Sequence, residues 1–503
     1  MTTGRSSFRE RVEQGLWSRV EAFLDSYETA GLAVVVVSDE EVVARGYGVR
    51  DVRTGVPVTP QTMFHLASVS KPFVATAIVS LAMEGGDGHA ALDLDAPITD
   101  WVPEFTLADG RAAAVTARTL LSHTSGLPDL TEYGWHEPQL GDDALSELAR
   151  SLSHWRLETD PGTTFSYSNA GFELLGLLLS RVMDTTFEDA VRQRVLLPLG
   201  MQDSTFLRAD VPEHLASSPH VGMPLTVLND AYPYTRRHAP SSTLHSNLDE
   251  LCRWMVAHFA PVSLGADDAR DWARLGPALV DRMREPVAPV GRPPWEESAA
   301  LGWAVGSYRG EFVLSHSGAD PGFGSKLVLV PDRRTGVAVL ANSNTVPTGS
   351  IAAAALDVVL SDAPLSSWGD AAPDELGDGF VELHSLLPPV TRPVAEALTT
   401  HGAAYARETF GRLAGEEPVR FDLDDEVFID AVWGAIELHH TELVWPLLRV
   451  WTDLRPDSSD AWTMTGWAHQ VDGRPDQARQ DLRHALDLDP GNEEAAQILG
   501  GLP

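Results

Sequence analysis

The sequence predicts an α+β architecture, an antiparallel sheet flanked by helices together with a mostly helical subdomain, followed by an all-α helical-repeat domain. Three observations carry this reading of the 503 residues. Strand-like runs stand at both ends of the first 365 residues. A mixed helix-and-loop region separates them. Beyond a stretch rich in Ser, Gly, Pro and Asp no strand pattern returns. The boundaries that follow are a first domain over 1–365, a linker over 366–379 and a helical domain over 380–503.

Residues 8–27 place Val12, Leu16, Val20, Phe23 and Leu24 on one face, the period of an amphipathic helix. Two strand-like runs follow, 32–38 and 41–48, close enough to pair as a hairpin. From 68 to 83 the pattern turns helical and Gly85-Gly86 marks its stop. Proline is tolerated only in a first turn, so Pro72 puts the start of that helix near Ser68. Residues 90–300 read as mixed helix and loop. Strands return at 311–315, 325–330 and 336–340, the last two joined by the turn Pro331-Asp332-Arg333-Arg334-Thr335. A helix over 351–360 closes the unit. Strands from the two ends of one segment meet most simply in a single antiparallel sheet.

The tail carries a repeat. Counted from Ser459, the residues Trp462, Gly466, Ala478, Leu482, Ala485 and Pro490 stand at positions 4, 8, 20, 24, 27 and 32, the pattern of a tetratricopeptide unit of about 34 residues. A copy 34 residues earlier, with Phe428, Leu448 and Pro456, is degenerate, because Val432 and Trp451 replace small residues. Helices between 380 and 415 are expected to complete the array, since about three units are needed to bury a continuous face.

Seventy-two acidic side chains face 37 basic ones, a net charge of −35. Repulsion from phosphates therefore argues against nucleic acid and anionic membranes as partners. The first thirty residues contain no apolar run of seven, so neither a secretory signal nor an anchor is expected, and the default compartment is the cytoplasm. The lone cysteine, Cys252, reads as a small buried hydrophobe. Only Lys71 and Lys326 are lysines among the 37 basic residues. Arginine cannot be deprotonated, so a lysine in such a chain raises the question of a titratable amine.

Ser68-Val69-Ser70-Lys71 opens the first long helix. Serine and lysine three apart share a helix face, near enough for the amine to take the hydroxyl proton. Free N–H groups at a helix start favour developing negative charge, and burial of the amine among Phe73, Val74 and their neighbours would lower its proton affinity. Tyr167-Ser168-Asn169 follows a turn and offers a phenol, expected to relay protons if its pKa is lowered by that lysine, and an amide two residues on. Leu314-Ser315-His316-Ser317-Gly318-Ala319 ends a strand, where a glycine lets a substrate lie along the edge. Lys326, one strand further, reads as a surface or edge charge.

Ser68-x-x-Lys71, Tyr167-x-Asn169 and His316-x-Gly318, in this order and spacing, resemble the serine β-lactamase and penicillin-binding-protein superfamily, with its S-x-x-K, S-D-N and K-T-G elements. Tyrosine in the second motif and histidine in the third resemble the class C-like branch of esterases, D-aminopeptidases, acyltransferases and β-lactamase-like hydrolases. Leu121-Ser122-His123-Thr124-Ser125-Gly126-Leu127-Pro128 and Ser246-Asn247-Leu248-Asp249-Glu250-Leu251 match as accessory segments, and the resemblance covers about residues 15–362. It implies a β-lactamase/transpeptidase-like fold and Ser68 as the nucleophile of an acyl-enzyme, with Lys71 as its base. It implies Tyr167 as proton shuttle, Asn169 orienting Lys71 and substrate, and His316 lining the pocket opposite Tyr167. The backbone N–H groups of Ser68 and Ala319 would form the oxyanion hole, with Gly318 letting a substrate lie along the strand edge. No metal or other cofactor is implied.

Residue by residue there are plainer readings. Asn169 can cap the helix that follows, His123 and Ser125 can stabilise a turn, and Asp249 can join a cap with Ser246 or Asn247. His316 also replaces the permanent ammonium that attracts a substrate carboxylate, which puts recognition of a free carboxylate in doubt. The expected function is an intracellular esterase, amidase or acyltransferase acting on a small ester, amide or lactam. A true β-lactamase or D-alanyl peptidase is the alternative within enzymes. A binding or scaffold protein, with a protein partner on the helical repeats and a vestigial pocket, is the alternative of another class.

Overall fold

The computed structural model describes residues 7–26, 29–39, 41–84, 92–130, 133–221, 225–229, 232–259, 275–292, 294–343, 346–361, 389–416, 420–425, 427–429, 431–432 and 441–502. Gly85-Gly86, the linker 366–379 and the His439-His440 pair lie outside these residues. The chain divides into two compact units, Met1–Glu21 with Glu28–Ser385, and Ala22–Tyr27 with Leu386–Pro503.

The first unit is built on an eight-stranded antiparallel sheet. Its strands are β1 (Gly31–Ser38), β2 (Glu41–Gly48), β3 (Ala288–Arg292), β4 (Glu296–Ala299), β5 (Ala304–Tyr308), β6 (Glu311–Asp320), β7 (Phe323–Val330) and β8 (Thr335–Ala341), in the spatial order β2-β1-β8-β7-β6-β5-β4-β3. The N-terminal hairpin joins the C-terminal strands through β1 and β8, which pair from Leu32 opposite Ala341 to Ser38 opposite Thr335. Leu32 to Val37 and Val337 to Ala341 are all buried. A strand covered on both faces loses its alternation, which is why these segments read as continuous apolar runs. Ala33, Val35 and Val37 share one core with Phe73, Trp254 and Met255. The alternate residues are buried too, and the helix α4 (Thr348–Leu360) packs on β7 and β8.

Two differences from the predicted strands have physical reasons. Strands β3 to β5 have no signal in the sequence: β3 and β4 (APVGR and EESA) are short and half-exposed, with Pro, Gly and Glu where alternation would be sought. Strand β6 runs to Asp320, five residues past the predicted end, because His316–Asp320 pair with Phe323–Leu327. Tertiary pairing there overrides the weak strand propensity of His-Ser-Gly-Ala-Asp.

The helices place the chemistry. Ala67–Ser70 forms a 3-10 turn that leads directly into α1 (Lys71–Met83), with Pro72 in its first turn as the sequence requires. The helix α2 (Asn169–Met183) is capped by Ser168, whose hydroxyl accepts from Gly171 N–H. Asn169 is thus the first helical residue rather than the cap. The helix α3 (Leu248–Phe259) buries Cys252, whose thiol is pushed up to about 12 by burial. Its first turn is held by Asn247 Oδ1 accepting from Glu250 N–H at 3.0 Å.

The second unit is helical over its described residues. Among its elements, α5 (Ser459–Val471) and α6 (Pro475–Leu488) pack on each other. A Cβ on Gly466 would stand 2.6 Å from Leu482 Cγ, so only a glycine lets these helices approach so closely. No helix among the described residues is long and apolar enough to cross a membrane.

Candidate active site

Ser68 sits in the 3-10 turn, preceded by Ala67 at φ +48°, a left-handed conformation costly for a residue with a Cβ. The turn is held from below: Leu66 N–H donates to Leu244 O, and Ser70 Oγ accepts from Leu244 N–H at 2.9 Å. Ser70 is therefore structural, and Ser68 alone presents a partly exposed hydroxyl. Lys71 Nζ donates to Ser68 Oγ at 2.9 Å and to the carbonyl of Ser241 at 2.9 Å. Tyr167 OH donates to the same Ser68 Oγ at 3.0 Å. Residues 99 positions apart in sequence thus converge on one hydroxyl.

Lys71 is 0% exposed, and burial pushes its amine down to about 8, against the opposing pull of Glu173, Asp129 and Asp320. The wall around the ammonium is aromatic: Nζ lies 5.0 Å from the centre of the Tyr167 ring and 5.6 Å from that of Phe172. Tyr167 departs from expectation. Burial raises its phenol well above the ordinary value, so it stays protonated and serves as a donor rather than a resting phenolate. Its ring stacks on His123, with centroids 4.2 Å apart, and His123 Nδ1 accepts from Ser168 N–H at 3.1 Å. His123, itself at φ +53°, thus fixes Tyr167 from behind.

Asn169 is placed beside this cluster, but its amide nitrogen donates to Asp129 Oδ2 at 3.0 Å and to Tyr133 OH at 2.6 Å, not to Lys71. Asp129 also accepts from the Asn169 backbone at 2.7 Å, and burial raises its carboxyl. The Ser241 carbonyl takes the place at the Lys71 amine expected for the Asn169 amide.

Strand β6 forms the opposite wall. A Cβ on Gly318 would stand 2.4 Å from Leu66 O, 2.5 Å from Ser325 Oγ and 3.0 Å from Ser68 N. Only a glycine lets the strand abut the serine turn. Ser68 N–H lies in the first turn, where no intrahelical acceptor exists. His316 is pushed down to about 3 by burial, then by the Lys71 charge, and is neutral at pH 7. Its Nδ1 lies 2.7 Å from Ser317 O, which assigns the ring proton to Nδ1. The strand end is pinned by Asp320, which accepts from His65 Nε2 at 2.7 Å and from Ser242 Oγ.

Lys326 is not the surface charge the sequence suggests. It is 3% exposed, donates to Ser317 Oγ at 2.9 Å and stands 5.1 Å from the Trp295 ring centre. A lysine amine therefore does stand beside the third motif, supplied by β7. Register explains it: Lys326 pairs with Ser317 across β6 and β7, a long-range relation that no local pattern encodes.

Four further residues around the cluster stand outside the sequence motifs. Asp129, Tyr133 and Ser241 lie in loops or short turns without periodic signal. Glu173 had one: it is the single polar side chain in the otherwise apolar stretch 170–179 of α2, and a buried charge requires a partner.

The fold and this cluster define a class: an α+β protein whose sheet edge and helix start enclose a serine, a buried lysine and a tyrosine. The chain belongs to the beta-lactamase family, whose model matches residues 16–360. It is 27% identical over 344 residues to "Protein flp" of Staphylococcus aureus (strain MW2), covering 66% of this chain and 64% of that protein. It thus spans just under two thirds of that relative's length. It is 27% identical over 394 residues to "Unguisins hydrolase ungD'" of Aspergillus campestris, covering 73% of this chain and 67% of the relative. Among solved structures, the octameric penicillin-binding protein homologue from Pyrococcus abyssi matches with a TM-score of 0.57 and 25% identity, over 68% of this chain and 76% of that one.

Proposed function

We propose that this protein is a serine acyl-hydrolase or acyltransferase that forms an acyl-enzyme on Ser68 with a small ester or amide. One observation carries the reading: a buried amine and a phenol converge on a single partly exposed hydroxyl, at 2.9 and 3.0 Å. Neutral Lys71 takes the Ser68 proton as Oγ bonds to the acyl carbon, and the oxyanion is held by the N–H groups of Ser68 and Ala319, with Gly318 giving access. Collapse breaks the bond to the leaving group, which takes the Tyr167 proton, and Lys71 refills the phenol. Water or an alcohol then attacks the acyl-enzyme with the same groups acting in reverse. Asn169 orients substrate through the Asp129 and Tyr133 wall, and neutral His316 lines the far side. Tyr167 and His316 are what favour the class C-like branch.

A panel of short-chain p-nitrophenyl esters, amino-acid amides and nitrocefin tests this, with Ser68→Ala as control. Turnover of esters or amides that Ser68→Ala abolishes supports it, and equal turnover by the variant refutes it. The Lys326 ammonium beside Ser317 favours one second reading, a carboxylate-bearing substrate such as a β-lactam or a D-alanyl peptide. Nitrocefin turnover matching that of the best ester would establish that reading instead.

We also propose that residues 380–503 form a short tetratricopeptide-like array offering a surface to a protein partner. The Gly466–Leu482 crossing and the burial of Ala478 and Ala485 support it. The boundaries 1–365 and 380–503 belong to the same proposal.

A further inference from the structure

Glu173 stands in α2 one turn after Asn169 and is 0% exposed. Its Oε1 accepts from Ser241 Oγ at 2.5 Å and faces His238 Nδ1 at 3.2 Å. Its Oε2 is buried with no hydrogen-bond partner among the described residues. An ionised carboxylate left this way costs several kcal/mol or more unless a charge nearby compensates it. The nearby charge is Lys71, also 0% exposed. The link between them is one residue: Ser241 gives its hydroxyl to Glu173 and its carbonyl to Lys71 Nζ at 2.9 Å.

We infer that Glu173 is a positioning residue for Lys71, acting through Ser241 to fix the amine against Ser68 and to set the pH at which that amine becomes a base. The inference rests on the reading of Ser68 as nucleophile and Lys71 as its base. Its sign follows from charge. A carboxylate stabilises the ammonium form, so Glu173 opposes the effect of burial and holds Lys71 higher than the pocket alone would. Of the charged groups around Lys71, Glu173 acts most strongly; Asp129, from a loop 40 residues ahead of Asn169, and Asp320, from β6, act in the same sense. His123 and His316 face the amine as neutral rings, since burial and Lys71 push both down. Glu173 in turn faces His238 from the segment that leads into Ser241, and the Tyr133 ring packs edge-on against that histidine, 5.2 Å between centroids. Removing the carboxylate therefore leaves Lys71 with a lower pKa and the Ser241 carbonyl without its anchor.

The test is the pH profile of Ser68 labelling by a fluorophosphonate in the full chain and in Glu173→Gln, which keeps size and hydrogen-bonding capacity but removes charge. The acid limb is expected to move down by about one pH unit or more, since Glu173 is the leading charge that holds the amine up in a partly polar interior. Glu173→Asp is expected to bring the midpoint back toward that of the parent protein, which a purely structural role would not do. Should Glu173→Gln fail to fold, Ser241→Ala removes only the bridging hydroxyl and is expected to shift the midpoint the same way by less. An unmoved midpoint in a folded Glu173→Gln, or in Ser241→Ala where that stands in, overturns the inference while leaving the nucleophile assignment intact. Absence of Ser68 labelling in the parent protein takes both down together.

Discussion

If Lys71 is the base, the rate of Ser68 acylation follows the neutral fraction of one buried amine. Burial lowers that amine from 10.5 to about 8. At pH 7 the neutral fraction then rises from about 0.03% for an ordinary lysine to about 9%, a gain of roughly 300-fold. From pH 6 to pH 8 it climbs from about 1% to about half, so the labelling rate is expected to rise roughly 50-fold and level off above pH 9. The direction is set by burial: the charged form is penalised in the pocket, so the active form accumulates as pH rises through 8. The assay is the second-order rate of fluorophosphonate labelling between pH 5.5 and 9.5, with the adduct read by intact mass. Lys71→Arg cannot lose its proton at any of these values, so it is expected to slow labelling by about 10²- to 10⁴-fold and to abolish the limb. A midpoint near 6.5, a flat profile, or a Lys71→Arg protein that keeps its rate would refute the reasoning.

Tyr167→Phe removes a donor to Ser68 Oγ and the proton source for the leaving group, so turnover of esters is expected to fall about 10²- to 10⁴-fold with the melting temperature little changed. Gly318→Ala puts a methyl 2.4 Å from Leu66 O, a backbone atom that cannot step aside; a loss of about 1–3 kcal/mol in denaturant unfolding, with slowed labelling, is expected. His316 is neutral down to about pH 3, so no activity limb between pH 5 and 7 should vanish in His316→Gln. Gly466→Val drives a side chain into Leu482, and the melting of the helical unit is expected to drop by several degrees.

The parts of this molecule visible in its sequence are those whose cause is local. The buried strands β1 and β8 announce themselves by unbroken apolar runs, 32–37 and 337–341, and Pro72 sets the start of α1 to within a turn. Ser68 and Lys71 are legible because three residues of helix suffice to bring them together. Tyr167 is placed by its motif, but the rise in its pKa depends on burial that only the assembled core creates. The partners of Asn169 and the position of Lys326 are hidden for the same reason. Asp129 and Tyr133 come from a loop 36 to 40 residues upstream, and Lys326 is aligned with Ser317 by strand register. Strands β3 to β5 form by pairing onto an existing sheet edge, not by their own pattern. Glu173 is legible too: one acid in an apolar stretch of α2 marks a buried charge that needs a partner.

The most direct test of the account is the mass of the protein after reaction with a fluorophosphonate, with the adduct located by peptide mapping. One adduct on Ser68, absent from Ser68→Ala and suppressed in Lys71→Arg, is the expected result. Labelling that persists in Ser68→Ala, or that maps to another residue, would contradict the assignment of Ser68 as the nucleophile.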